Sequence, residues 1–138
     1  MSLENRLLSK VIDDNNYAEL IKYNITEQDF TTQGDTFKFI KGYIKEFGEA
    51  PAFTTVVAEC PSFEYEPEVF DNIGYMCKKV KADVAKRKTF TLLQKDATEK
   101  FSKMNGADFI SWLHSEVTGI KETTAVECYA GANYATNG

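Results

Sequence analysis

From Tyr75 to Asn105 the chain contains neither proline nor glycine, and along this run apolar residues recur at helical spacing. Cys77, Val80 and Val84 come first, then Phe90, Leu93, Ala97 and Phe101, a pattern that no half-buried strand would show. Just upstream, Pro67 suits a first helical turn, where a missing N–H is no loss. Glu64, Glu66, Glu68 and Asp71 gather there, where the helix dipole favours negative charge. The expected helix therefore runs from Pro67 to about Lys103, with Phe70 and Ile73 opening its stripe. At 1.5 Å per residue it would reach roughly 50 Å, further than a compact head from a chain this size can cover.

Cover is expected from the segment that follows. Met104-Asn105-Gly106 is a turn signal, and Ala107 to about Thr118 has helical periodicity that Gly119 can end. The two segments together predict a helical hairpin. On its second arm Phe109, Ile110, Trp112, Leu113, Val117 and Ile120 spread over about 160° of the circumference, wider than one partner helix demands. The surplus predicts contact with a second subunit, and Phe101, Met104, Phe109, Ile110, Trp112, Leu113 and Val117 are the candidate interface residues.

Ahead of the hairpin the pattern predicts a head of shorter helices. Leu3, Leu7, Leu8, Val11 and Ile12 share one helical face that ends at Asp13-Asp14-Asn15-Asn16. Tyr17, Leu20 and Ile21 mark a second short helix. Thr26 can cap a one-turn helix that delivers Phe30 to the core. A stronger helix starts near Thr36 with Asp35 as its expected N-cap, carries Phe37, Ile40, Tyr43, Ile44 and Phe47 on one stripe, and stops at Gly48. Thr54 to Cys60 form another, closed by Pro61. The fold class expected is all-α: a compact helical head over residues 1–66, a long helical hairpin over 67–120 completing the same domain, and a linker over 121–138, where periodicity gives way to small and polar residues.

With 138 residues, 43% hydrophobic and 27% charged, the chain has room for one globular core. It has no stretch of roughly 18 apolar residues and no signal-peptide pattern, so a cytoplasmic location without membrane contact is expected. Cys60, Cys77 and Cys128 are an odd set without close pairing, which favours reduced, packed thiols over a disulfide framework or zinc knuckle. A net charge of −5 argues against strong autonomous DNA binding, because nonspecific affinity comes from neutralising phosphates.

Chemistry is sparse. Gly34, Gly42 and Gly48 lack the spacing and the following Lys-Ser or Lys-Thr of a phosphate-cradling loop. His114 is the only histidine, so the chain cannot build a two-histidine metal site. Acid pairs such as Asp13/Asp14 and Glu64/Glu66 could bind a hard cation or do acid–base work, but turns and helix starts account for them more simply. The residues thus give no catalytic, cofactor or metal site. The densest charge feature is the run from Lys78 to Lys88, in which Lys78, Lys79, Lys81, Lys86, Arg87 and Lys88 face a single acid, Asp83. It reads either as a solvated helix face or as a contact surface for an acidic partner or a nucleic-acid strand.

Glu4-Asn5-Arg6-Leu7-Leu8-Ser9-Lys10-Val11-Ile12, the acid-Phe element from Ile25 to Phe30, and Thr36-Phe37-Lys38-Phe39-Ile40-Lys41 followed by Gly48, Pro51 and Val56-Val57 occur in that order. The order resembles the N-terminal domain of DnaB-type replicative DNA helicases, and Lys86-Arg87-Lys88 falls where that family often carries arginines on its hairpin. The resemblance covers Leu3 to Gly119. The Gly-Gly turn common before the hairpin helix in cellular members is missing, which points to a phage or mobile-element variant. The resemblance implies a noncatalytic domain that pairs with itself as a dimer, assembles as a trimer of dimers in the parent ring and docks primase, with DNA contacted only weakly or indirectly. ATP and magnesium are then expected only in a motor domain outside this chain. The rival expectation is a stand-alone helical adaptor or helicase loader.

Overall fold

Ser2 accepts the Asn5 N–H at its hydroxyl, 3.1 Å away, and so starts α1 (Leu3–Asp14), the helix on which the N-terminal part of the chain is built. The computed structural model describes residues 2–124. All regular structure among them is helical, so the protein is all-α. After α1 come α2 (Ala18–Lys22), a 3-10 turn (Glu27–Asp29), α3 (Gly34–Phe47), α4 (Phe53–Glu59), α5 (Ile73–Thr91), a π-helical segment (Leu92–Asp96), α6 (Ala97–Lys103) and α7 (Gly106–Thr123). The chain divides into two compact units at Val80 and Lys81, within α5.

In the first unit, residues 2–80, Leu7, Leu8 and Val11 of α1 are fully buried with Leu20, Ile40 and Val56, while Phe37 is 2% exposed. Phe30 stacks on Phe37 with ring centroids 5.1 Å apart, so the acid-Phe element delivers its ring to the core as its pattern predicts. The turn ahead of it is fixed by Asp29, whose carboxylate accepts the Thr26 N–H at 2.8 Å. Gly48 ends α3 at φ 81°, a left-handed conformation that glycine adopts at little cost. The N-cap of α3 is Gln33, and Asp35 lies inside the first turn, where it still complements the dipole. Ile21 and Phe47, placed on core stripes by their spacing, are 65% and 58% exposed.

Between α4 and α5 the chain is extended. The helix expected from Pro67 begins instead at Ile73, where the Asn72 side chain accepts the Tyr75 N–H at 3.1 Å. Glu68 has φ 54°, which breaks a right-handed helix, and Phe70 is 87% exposed. The physical reason lies in α1, whose polar face takes up this segment's backbone groups. Asn5 accepts the Glu64 N–H at 3.0 Å, Ser9 accepts the Glu66 N–H at 2.9 Å, and Lys10 donates to the Val69 carbonyl at 3.0 Å. Arg6 adds ion pairs with Asp71 and Glu66. Bonds that a helix would have made internally are made to α1, and Phe63 and Val69 are buried.

In the second unit, residues 81–124, the chain doubles back at Asn105, whose side chain accepts the Asp108 N–H at 2.9 Å and caps α7. Phe101 meets Phe109 edge-on near the turn, with centroids 5.4 Å apart, and Lys81 donates to the Thr123 carbonyl at 3.2 Å at the far end. Residues 81–103 and 106–123 therefore run antiparallel. α7 continues through Gly119 to Thr123, four residues past its expected stop, because a glycine inside a helix costs only about 1 kcal/mol. The linker expected from Lys121 thus begins as helix, and Cys128 lies outside the described residues.

Candidate functional site

The second unit is thinly packed. Neither α6 nor α7 contains a buried residue, and between Lys81 and Thr124 only Lys81, Val84 and Leu92 are buried. Five large apolar side chains stand in the open: Phe90 at 65%, Leu93 at 55%, Phe101 at 71%, Ile110 at 67% and Val117 at 51% exposure. Single exposed apolar residues are ordinary, but this many on so short a unit outweigh the two apolar residues it buries.

The seven candidate interface residues fall into two groups. Met104, Phe109, Trp112 and Leu113 are half-buried, and Phe109 holds Trp112 at 5.8 Å between ring centroids. Phe101, Ile110 and Val117 are exposed. Ile110 and Val117 lie seven residues apart, two helical turns, and therefore on the same face of α7, beside half-buried Leu113. Residues 110, 113, 117 and 120 follow a 3-4-3 spacing, which is the seam of a helix that packs lengthwise on another helix.

The six basic residues do not form one surface. Lys78, Lys79, Lys86, Arg87 and Lys88 are exposed, whereas Lys81 is 1% exposed and its ammonium donates to Thr123. Lys81 is thus a structural residue tying the two arms, which corrects its place on the expected contact surface. Arg87, Lys88 and Thr91 line one wall of an open cleft of about 430 Å³, and Glu116 and Ile120 of α7 line the other. Asp96 completes a lining with two bases and two acids, so the cleft offers no concentrated charge of either sign. A second, shallower hollow of about 440 Å³ lies on the α5 surface between Ala85, Lys86, Thr89, Phe90 and Leu93.

Sequence spacing placed Phe90 and Leu93 on the same stripe as Val80 and Val84, and the structure separates them. Six residues on from Val84, Phe90 falls about 120° round the helix, an offset the sequence itself contained. The π-helical segment from Leu92 to Asp96 was not legible, since nothing local distinguishes it from an α-turn.

Glu4, Tyr65 and Cys60, all in the first unit, have shifted pKa values. Burial would raise the Glu4 carboxyl, but hydrogen bonds from Thr31, Thr32 and Gln33 hold it below its ordinary 4.5. The hydrogen bond from Tyr65 to Asp13, 2.7 Å long, pushes that phenol up to about 12. Burial raises the Cys60 thiol, a direction that makes it less reactive. Hydrogen bonds account for the first two shifts and burial for the third. Cys60 and Cys77 are buried. Among the described residues no group of three or more His, Cys, Asp or Glu side chains could hold a metal ion, and no helix is long and apolar enough to cross a membrane.

No family model, curated protein or solved structure matches this chain.

Proposed function

We propose that this chain is a noncatalytic assembly domain, the N-terminal oligomerisation and primase-docking domain of a DnaB-type hexameric replicative DNA helicase, in which α7 packs against α7 of a second copy. The observation that carries self-association is α7 itself, eighteen residues long with no buried residue and with Ile110 and Val117 two-thirds and one-half exposed on one face. A segment this small gains too little from its own core, and association is the usual remedy. Covering such side chains is worth roughly 1.5–3 kcal/mol each, less the cost of bringing two molecules together.

The helicase ring and the primase are supported by the sequence order from Glu4 to Lys88 set out above, and the all-α fold is compatible with them. Sedimentation velocity over a wide concentration range tests the self-association. A dimer or larger species that Ile110→Ser with Val117→Ser converts to monomer is expected. A parent domain that stays monomeric up to roughly millimolar concentration would remove the basis of the reading. Binding of purified cognate primase to the parent domain, read by calorimetry, tests the docking role separately.

A further inference from the structure

Ile110, His114, Val117 and Lys121 follow one another along α7 at spacings of four, three and four residues, and all four are exposed. At 100° per residue they fall within an arc of about 60°, so His114 stands one turn from Ile110 and one turn from Val117 in a single stripe. Leu113 and Ile120, on the other flank of Ile110 and Val117, are half-buried, which leaves the His114 side as the open one. Of the other charged residues of α7, Lys121 shares the stripe, whereas Asp108, Glu116 and Glu122 lie about 80° or more round the helix from His114. α5 and the π-helical segment present Arg87, Lys88 and Asp96 to the Glu116 and Ile120 side of α7, and α6, which carries Glu99, Lys100 and Lys103, meets α7 through Phe101 and Phe109. Both of those sides are about 120° or more from His114. Among the described residues, then, no acid shares the stripe, and the charge that does is a cation.

We infer that His114 makes the pairing of α7 with α7 pH-sensitive: the pair forms with the imidazole neutral and is weakened when the imidazole takes up a proton. The inference rests on the α7 pairing proposed above and names what regulates it. A contact that covers Ile110 and Val117 also covers the residue between them, whichever way the two helices run. In a parallel pair His114 of one copy meets His114 of the other, and in an antiparallel pair centred on the stripe it meets Val117 of the other. Either arrangement takes the ring out of water, which costs the charged form far more than the neutral one. Lys121 on the same stripe opposes a further positive charge, and no acid is there to offset it. The neutral ring is therefore favoured in the pair, while the free helix tolerates either form. Association is strongest above the range in which imidazoles titrate and is lost as pH falls through it.

The test is sedimentation velocity of the whole chain over a concentration series at about pH 7.5 and about pH 5.5, a window in which imidazoles change charge and ordinary carboxylates stay ionised. His114 is the single histidine of the chain, so no other imidazole contributes. The dissociation constant rises by about tenfold or more at the lower pH, since two rings per pair respond together. His114→Gln, neutral throughout, loses that step, and His114→Arg, charged throughout, associates weakly at both values. The side chain is exposed, so the variants keep their helical circular dichroism. A parent that associates equally at the two pH values, or a His114→Gln variant that keeps the parent's step, overturns the inference. Where either result comes with a parent mass that Ile110→Ser with Val117→Ser still lowers, the α7 pairing stands and only the role of His114 falls. A parent that is monomeric at both values removes the pairing and this inference together.

Discussion

Glu4 of α1 accepts the Gln33 N–H at 3.0 Å, and the same carboxylate takes the N–H groups of Thr31 and Thr32 at 2.9 and 3.0 Å. One side chain near the start of the chain thereby satisfies three successive donors that lead into α3, where the helix dipole also favours its charge.

Glu4→Gln removes the charge and leaves an amide that cannot accept all of these donors. A loss of about 1–2 kcal/mol at neutral pH is expected from urea denaturation. The carboxyl is held below its ordinary 4.5, so its contribution is complete above that value and disappears as pH falls through the lower folded value. The parent should lose stability on acidification through this window, and the variant should lose less. Equal pH profiles for the two proteins would contradict the clamp.

Phe37 lies at the centre of an aromatic group, 5.1 Å from Phe30 and 6.2 Å from Tyr17 between ring centroids, and is 2% exposed. Phe37→Ala should cost about 3–5 kcal/mol, through lost transfer energy and the cavity left behind. Thermal unfolding followed by circular dichroism measures it.

Gly48 and Gly119 should respond to alanine with opposite signs. Neither has a neighbour within 4 Å of an added Cβ, so crowding does not enter. Gly48 holds φ 81°, and Gly48→Ala should destabilise by about 1–2 kcal/mol. Gly119 is within α7, and Gly119→Ala should stabilise by up to about 1 kcal/mol. Denaturant midpoints of the two variants against the parent decide both.

Trp112 and Val117 separate folding from assembly on one helix. Trp112 is half-buried against Phe109, whereas Val117 is 51% exposed. At a dilution where the parent is monomeric, Trp112→Ala should lower the melting temperature and Val117→Ser should leave it nearly unchanged, since exposed substitutions usually stay within about 0.5 kcal/mol. At high concentration Val117→Ser should show the lower mass. A melting temperature equally depressed by both would place Val117 in the folded core.

The helical stretches of the first unit were readable because local chemistry fixes them. The Leu7, Leu8, Val11 stripe, the Phe30 anchor and the glycine stop at Gly48 depend on spacing and on one residue's freedom to take positive φ. The turn at Asn105 was equally local, since its side chain caps the helix that follows it. The candidate interface was partly legible, because an apolar arc wider than one helix can cover shows in the sequence.

Three features were decided by tertiary structure alone. Pro67 to Asp71 have a helix-start composition, yet Asn5, Ser9 and Lys10 of α1, more than fifty residues away in the chain, offer partners that keep the segment extended. Lys81 belongs to a basic run, yet the Thr123 carbonyl lies within its reach and the residue is buried. Leu92 to Asp96 read locally as an α-helical turn, yet they form a π-helical segment. Spacing states which residues can share a face. Which face is covered, and by what, depends on partners that sequence distance does not reveal.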